Sequence, residues 1–180
     1  MLAMATNSKI HIKNININHM KAIVEHLLLA GANVDILSHS DIIVYPKSQK
    51  INPLNIKTEE YPGFPTDMQA QFMSMLSIAN GTSIITENIF ENRFQHAQEL
   101  IRMGANISIQ SRNAIVKGVE ALSGAEVFST DLRASAGLVI AGLMAKDKTI
   151  VRNIYHLDRG YDHIEKKLQG IKAKIKRIEI

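Results

Sequence analysis

The 180-residue chain has no cysteine and no tryptophan. The first absence excludes a disulfide framework and any thiolate metal site, and it fits a reducing cytoplasm. The second, with only 5% aromatic residues overall, leaves little surface on which nucleic-acid bases could stack. No apolar run approaches the roughly 18 residues that cross a bilayer, so no membrane partner is expected. The opening MLAMATNSKIHI turns polar too early for a secretory leader. Also missing are a glycine-rich phosphate loop, a Cys/His cluster and a nucleophile elbow, so neither a metal nor a resident cofactor is expected. What remains is a globular composition, 46% hydrophobic and 21% charged with a net charge of +4. Its length suits one domain with a real core. The small positive excess would suit a phosphorylated small molecule as well as nucleic acid. In the lysine-rich end KKLQGIKAKIKRIEI the charges alternate with Ile171, Ala173 and Ile175. That is the pattern of a strand with one wet face, so nucleic acid is not the expected partner.

Internal repetition organises the rest. SKIHIKNI (8–15), TSIITENI (82–89) and KTIVRNI (148–154) are β-branched runs ending in Asn-Ile. An amphipathic helix is expected after each, within HMKAIVEHLLLAG, RFQHAQELIRMG and DRGYDHIEKKLQG. In the second of these, Phe94, Ala97, Leu100 and Ile101 share one face. Two copies close on Gly31-Ala32 and Gly104-Ala105, where glycine suits a left-handed cap, and Lys172 stands at that position in the third. Short strands follow at ANVDIL, ANISIQ and AKIKRI, the first two paired with DIIVYP and AIVKGV. Two further helices, TDMQAQFMSMLSIANG and TDLRASAGLVIAGLMAKD, precede the second and third copies. Both open on the same grammar, FPTD and FSTD. The expectation is a single α/β domain over residues 1–180, in three pseudo-repeats of roughly 1–65, 66–130 and 131–180. Aligned on this pattern, residues 1–5 cover only the last turn of such a helix, so the chain reads as an N-terminally truncated fragment.

The candidate chemistry sits at helix starts. Asp67 and Asp131 each read either as caps accepting first-turn N–H bonds or as carboxylates able to accept a hydroxyl proton. Arg93 and His96 lie three apart on one helix face, with His96 read as a surface or core-edge side chain. In YHLDRGYDH, Asp158 and Arg159 are read as capping and solvating a helix start, or as part of a site beside Gly160. Arg93, Arg133 and Arg159 recur near helix starts in successive copies, and convergent guanidinium groups bind phosphate or carboxylate.

At FPTDMQAQ, ENRFQHAQELIRMGA, DLRASAGLVIAGL and YHLDRGY the sequence resembles the UDP-N-acetylglucosamine 1-carboxyvinyltransferases, over nearly all of this chain but under half of that family's length. The resemblance implies an inside-out α/β barrel of three βαβαββ-type repeats, facing a second such domain across the active-site cleft. It implies transfer of the enolpyruvyl group of phosphoenolpyruvate to the 3′-hydroxyl of UDP-N-acetylglucosamine, a cytoplasmic step of peptidoglycan synthesis serving cell shape and division. By the same resemblance Asp67 contacts the sugar hydroxyl as proposed general base. Ile89 contacts the nucleotide sugar through its backbone and Phe90 walls that pocket. Arg159 closes on phosphoenolpyruvate, Asp131 and Arg133 lie near the reacting carbon, and Arg93 is a further cleft arginine. The family's cysteine acid and its Lys-Asn pair belong to the other half, and Lys13-Asn14 does not replace that pair. This chain alone is therefore expected to be inactive. It is either one subunit of a split enzyme with a complementary N-terminal chain, or a non-catalytic remnant of a decayed gene. A nucleotide-sugar binding module is the third possibility.

Overall fold

A computed structural model describes residues 1–178. In chain order the first copy contains α1 (Leu2–Ala5), β1 (Ile10–Ile12), α2 (Lys21–Leu29), β2 (Ala32–Ile36) and β3 (Ile42–Pro46). The second contains β4 (Asn55–Lys57), α3 (Gln69–Leu76), β5 (Thr82–Thr86), α4 (His96–Arg102), β6 (Asn106–Gln110) and β7 (Asn113–Lys117). The third contains β8 (Glu126–Phe128), α5 (Leu132–Met144), β9 (Ile150–Arg152), α6 (Tyr155–Asp158) and α7 (Ile164–Gly170).

Strands β4 and β8 went unread in the sequence, because three-residue strands carry too few residues to show a period. They complete the architecture, and because they open the second and third copies those copies start near 55 and 126, ahead of the expected 66 and 131. β4 pairs in parallel with β5 across α3, and β8 pairs in parallel with β9 across α5, giving two β-α-β units. The sheets run β1-β3-β2, β4-β5-β7-β6 and β8-β9, with the hairpins β2-β3 and β6-β7 antiparallel.

The helices that open on Thr-Asp are the inner ones. All eight residues of α3 are buried, so it shows no polar stripe of the kind a surface helix needs. α5 packs directly on it, and three of the four residues of α1 are buried beside them. A Cβ placed on Gly137 would lie 3.0 Å from the Ala70 carbonyl oxygen, so the absent side chain lets the two backbones approach. With the sheets outside and these helices inside, this is the inside-out arrangement. One core runs from Ala3 to Ala141, and a smaller cluster of Ala136, Val139 and Leu157 lies under α6 and α7.

The backbone repeats as the sequence does. After each inner helix comes a positive φ, at Asn7 (48°), Gly81 (150°) and Asp147 (70°). After each outer helix comes another, at Gly31 (96°), Gly104 (90°) and Lys172 (68°). Lys172 thus adopts the left-handed geometry even though the glycine is gone.

Two expectations fail here. Ile101 stays 38% exposed while Ala97 and Leu100 are fully buried, because the buried stripe of α4 is narrower than the spacing allowed. AKIKRI is not a strand over its described residues. Side chains hold it against the outer helices instead: Gln169 Nε2 donates to the Ile175 carbonyl at 2.7 Å, and Arg177 pairs with Asp158 and Glu165.

Candidate active site

The two Thr-Asp starts do not fold alike. Residues Thr66–Met68 form a single 3-10 turn with Pro65 before it, and Asp67 makes no capping bond. Its Oδ1 instead meets Arg133 Nε at 2.5 Å and Arg93 Nη2 at 3.5 Å. Oδ2 has no partner among the described residues, and the side chain is 59% exposed. Asp131 is a cap: its Oδ1 accepts from the N–H groups of Arg133 at 2.8 Å and Ala134 at 3.0 Å. Burial pushes the Asp131 carboxyl up, but the bonds from those two N–H groups outweigh it and leave the group below its ordinary value.

Three sequence-predicted residues therefore converge. Asp67 comes from the start of α3, Arg93 from the segment before α4 and Arg133 from the first turn of α5. Arg133 is held in its charged form first by the hydrogen bond to Asp67, against some desolvation. Arg93 also lies over the Phe90 ring, 4.3 Å from its centroid, a cation–π stack. Phe90 and Arg93 line a cavity of about 480 Å³ shared with Glu87, Ser111 and Arg112. Ile89 precedes Phe90 and is half-buried.

Other expectations need correction. Arg159 does not sit at a helix start: it is the C-cap of α6, exposed and outside the Asp67 cluster. Asp158 ends that same helix and pairs with Arg177, so it does not cap a start either. Of the surface and core-edge readings of His96 the surface one fails: it is 3% exposed, with Nε2 unpaired among the described residues. Burial is the main cause that lowers it to about 4, with Arg93 adding to the effect and Asp131 opposing it.

The sequence reading missed Glu87. It is 1% exposed and sits at the end of β5. Its Oε1 accepts from Thr58 Oγ1 at 2.8 Å and from the N–H groups of Ile89 at 3.0 Å and Phe90 at 3.2 Å. Its Oε2 accepts from Thr66 Oγ1 at 2.8 Å. A signal was present, since the aligned positions of the other copies hold Lys13 and Arg152.

Asp67 and Arg133 stand at the starts of inner helices, with Arg93 reaching Asp67 from the segment before α4. Sheets wrapped around inner helices define the class of fold. Residues 1–168 match the EPSP synthase (3-phosphoshikimate 1-carboxyvinyltransferase) family, and the chain belongs to it. Among curated relatives it is 52% identical over 177 residues to the UDP-N-acetylglucosamine 1-carboxyvinyltransferase of Geobacter metallireducens. It is also 52% identical over 176 residues to that of Orientia tsutsugamushi. Each alignment covers 98% of this chain and 42% of the relative, so the chain spans about two fifths of their length. Among solved structures, the enolpyruvyl transferase NikO from Streptomyces tendae superposes with a TM-score of 0.86 at 24% identity, over 97% of this chain and 42% of that one. EPSP synthase from Acinetobacter baumannii does so with 0.74 at 15%, over 98% and 42%. These two likenesses establish the fold.

Proposed function

We propose that this chain forms one wall of an enolpyruvyl transferase active site. The reaction is transfer of the enolpyruvyl group of phosphoenolpyruvate to the 3′-hydroxyl of UDP-N-acetylglucosamine with release of phosphate. The observation that carries the reading is Asp67, fixed through Oδ1 by two arginines while Oδ2 has no partner among the described residues, in a chain 52% identical to transferases of that name. A carboxylate so oriented can take the proton of an attacking hydroxyl. Arg93 and Arg133 already stand at Asp67 and can offset substrate anions. Ile89 and Phe90 bound the nucleotide-sugar side. Asp131 caps the first turn of α5, which carries Arg133, and in this reading both stand near the reacting carbon. Arg159, exposed on α6, would have to move inward to close on phosphoenolpyruvate.

The remaining part of such an enzyme, in the same polypeptide or in a second one, supplies the facing wall and the acid that protonates the enolpyruvyl carbon. We place the reaction in the cytoplasm as a step of cell-wall synthesis, carried out by a three-repeat unit over residues 1–180. Among the described residues no helix is long and apolar enough to cross a membrane.

The test is phosphate release by the assembled enzyme with phosphoenolpyruvate and either UDP-N-acetylglucosamine or shikimate 3-phosphate as acceptor. Turnover with the nucleotide sugar alone is expected. Turnover with the shikimate ester alone, or with neither in a folded assembly, would overturn the assignment.

A further inference from the structure

We infer that Glu87 is the positioning residue of the candidate site: its buried carboxylate sets the loop carrying Ile89, Phe90 and Arg93, and ties that loop to Asp67. The inference starts from a break in the repeat. The Asn-Ile pairs that close the first strand of each copy are Asn14, Asn88 and Asn153. Asn14 and Asn153 turn left-handed, with φ of 58° and 57°, while Asn88 keeps a negative φ. The first and third copies thus share one turn, and the second departs from it at the segment that lines the site.

Glu87 accounts for the departure. Lys13 and Arg152, its counterparts, donate hydrogen bonds and cannot accept them. Lys13 is exposed, and Arg152 Nε turns to Glu126 at 2.7 Å. Glu87 accepts from the backbone N–H groups of Ile89 and Phe90 at once, which draws the chain around its own carboxylate. Thr58 closes the other side, donating to Glu87 Oε1 and accepting from the Asn88 N–H at 2.9 Å. The loop is therefore fixed from within. Unlike the ionic groups at the surface, this carboxylate is 1% exposed and has four donors within hydrogen-bond reach, which a buried anion requires.

The second tie runs toward Asp67. Thr66 Oγ1 donates to Glu87 Oε2 at 2.8 Å and lies 3.4 Å from Arg93 Nη1. Arg93 reaches Asp67, and Asp67 reaches Arg133. One continuous path, Glu87–Thr66–Arg93–Asp67–Arg133, joins the end of β5 to the starts of α3 and α5. Glu87 borders the cavity, but it is 1% exposed and protein donors occupy both its oxygens, so it acts through these groups. Its bearing on catalysis rests on the transferase reading, but its hold on the loop does not.

The first measurement is amide hydrogen exchange on the chain carrying Glu87→Gln, which removes the charge and one acceptor oxygen. Exchange at residues 88–90 should speed about tenfold or more, with the interior of α5 unchanged. Unchanged protection at those amides would overturn the inference. If Glu87→Gln does not fold, the comparison is Thr66→Val with Thr66→Ser. Valine should shift the Arg93 guanidinium resonances and serine should restore them; no shift with valine would overturn the inference equally. In the assembled enzyme, Glu87→Gln should raise KM for the nucleotide sugar about tenfold and lower kcat by less. An unchanged KM alongside a loosened loop would overturn the positioning role in the reaction. A wild-type assembly without turnover would count against the transferase reading, leaving the exchange result to judge Glu87.

Discussion

FPTD at 64–67 and FSTD at 128–131 differ by one letter and end up doing different work. In the second, the Ser129 N–H donates to the Arg152 carbonyl at 3.1 Å. This extends the β8–β9 ladder by one residue, so the helix starts late, with Asp131 in extended geometry (φ −160°, ψ 175°) as its cap. In the first, Pro65 has no N–H to donate, and the 3-10 turn begins at Thr66. Asp67 then falls inside the turn, where it cannot cap, and its carboxylate is free to face two guanidinium groups. Their partners differ as well. Phe64 is buried against Phe72, ring centroids 5.0 Å apart, while Phe128 is 42% exposed. A repeated motif therefore conserves a helix start without conserving what its side chains do.

The sharpest way to break the comparison is to remove one charge. Asp67→Asn keeps the shape and loses the proton acceptor, so phosphate release by the assembled enzyme should fall about 10²- to 10⁴-fold. Near-normal turnover would return Asp67 to the status of a structural residue. Next in size is an acid effect centred on His96, beside both Arg93 and Asp131. Its folded value of about 4 lies below the ordinary histidine value near 6.5. The unfolded chain therefore binds a proton that the folded one refuses between those limits. Stability should fall as pH drops from about 6.5 toward 4, by about 3 kcal/mol in full. His96→Gln should flatten that slope in thermal melts taken across the same range. An equally steep slope in the variant would show that other groups carry it.

Much of this was legible from residues alone. The triple repeat and the two helices that open on Thr-Asp follow from motifs whose spacing survives in the fold. The inner position of those helices and a shared cleft for Asp67, Arg93 and Arg133 came instead from the family resemblance. What was not legible has identifiable physical causes. Strands β4 and β8 are too short to show a period, and their pairing partners lie 29 and 24 residues on at first register. The lysine-rich end has strand alternation, yet Arg177 finds Asp158 and Glu165 before any strand partner. His96 and Glu87 look like surface residues by type. Their burial is decided by partners distant in the chain, Thr58 and Thr66 for Glu87 and α5 against the helix of His96, which no local window contains. Asp158 and Arg159 were read at the wrong end of a helix because α6 is only four residues long.

The central claim is that one Thr-Asp start is a cap and the other is not. Thermal denaturation of Asp67→Ala and Asp131→Ala, side by side in the chain itself, tests it most directly. Asp131→Ala should lose about 1 kcal/mol, the usual cost of a lost N-cap. Asp67→Ala should stay within about 0.5 kcal/mol of the parent, since exposed ion pairs contribute little. Because the Asp131 carboxyl is held below its ordinary value, its contribution is present above about pH 4 and disappears as pH falls further. Equal losses at neutral pH, or the larger loss at Asp67, would contradict the account.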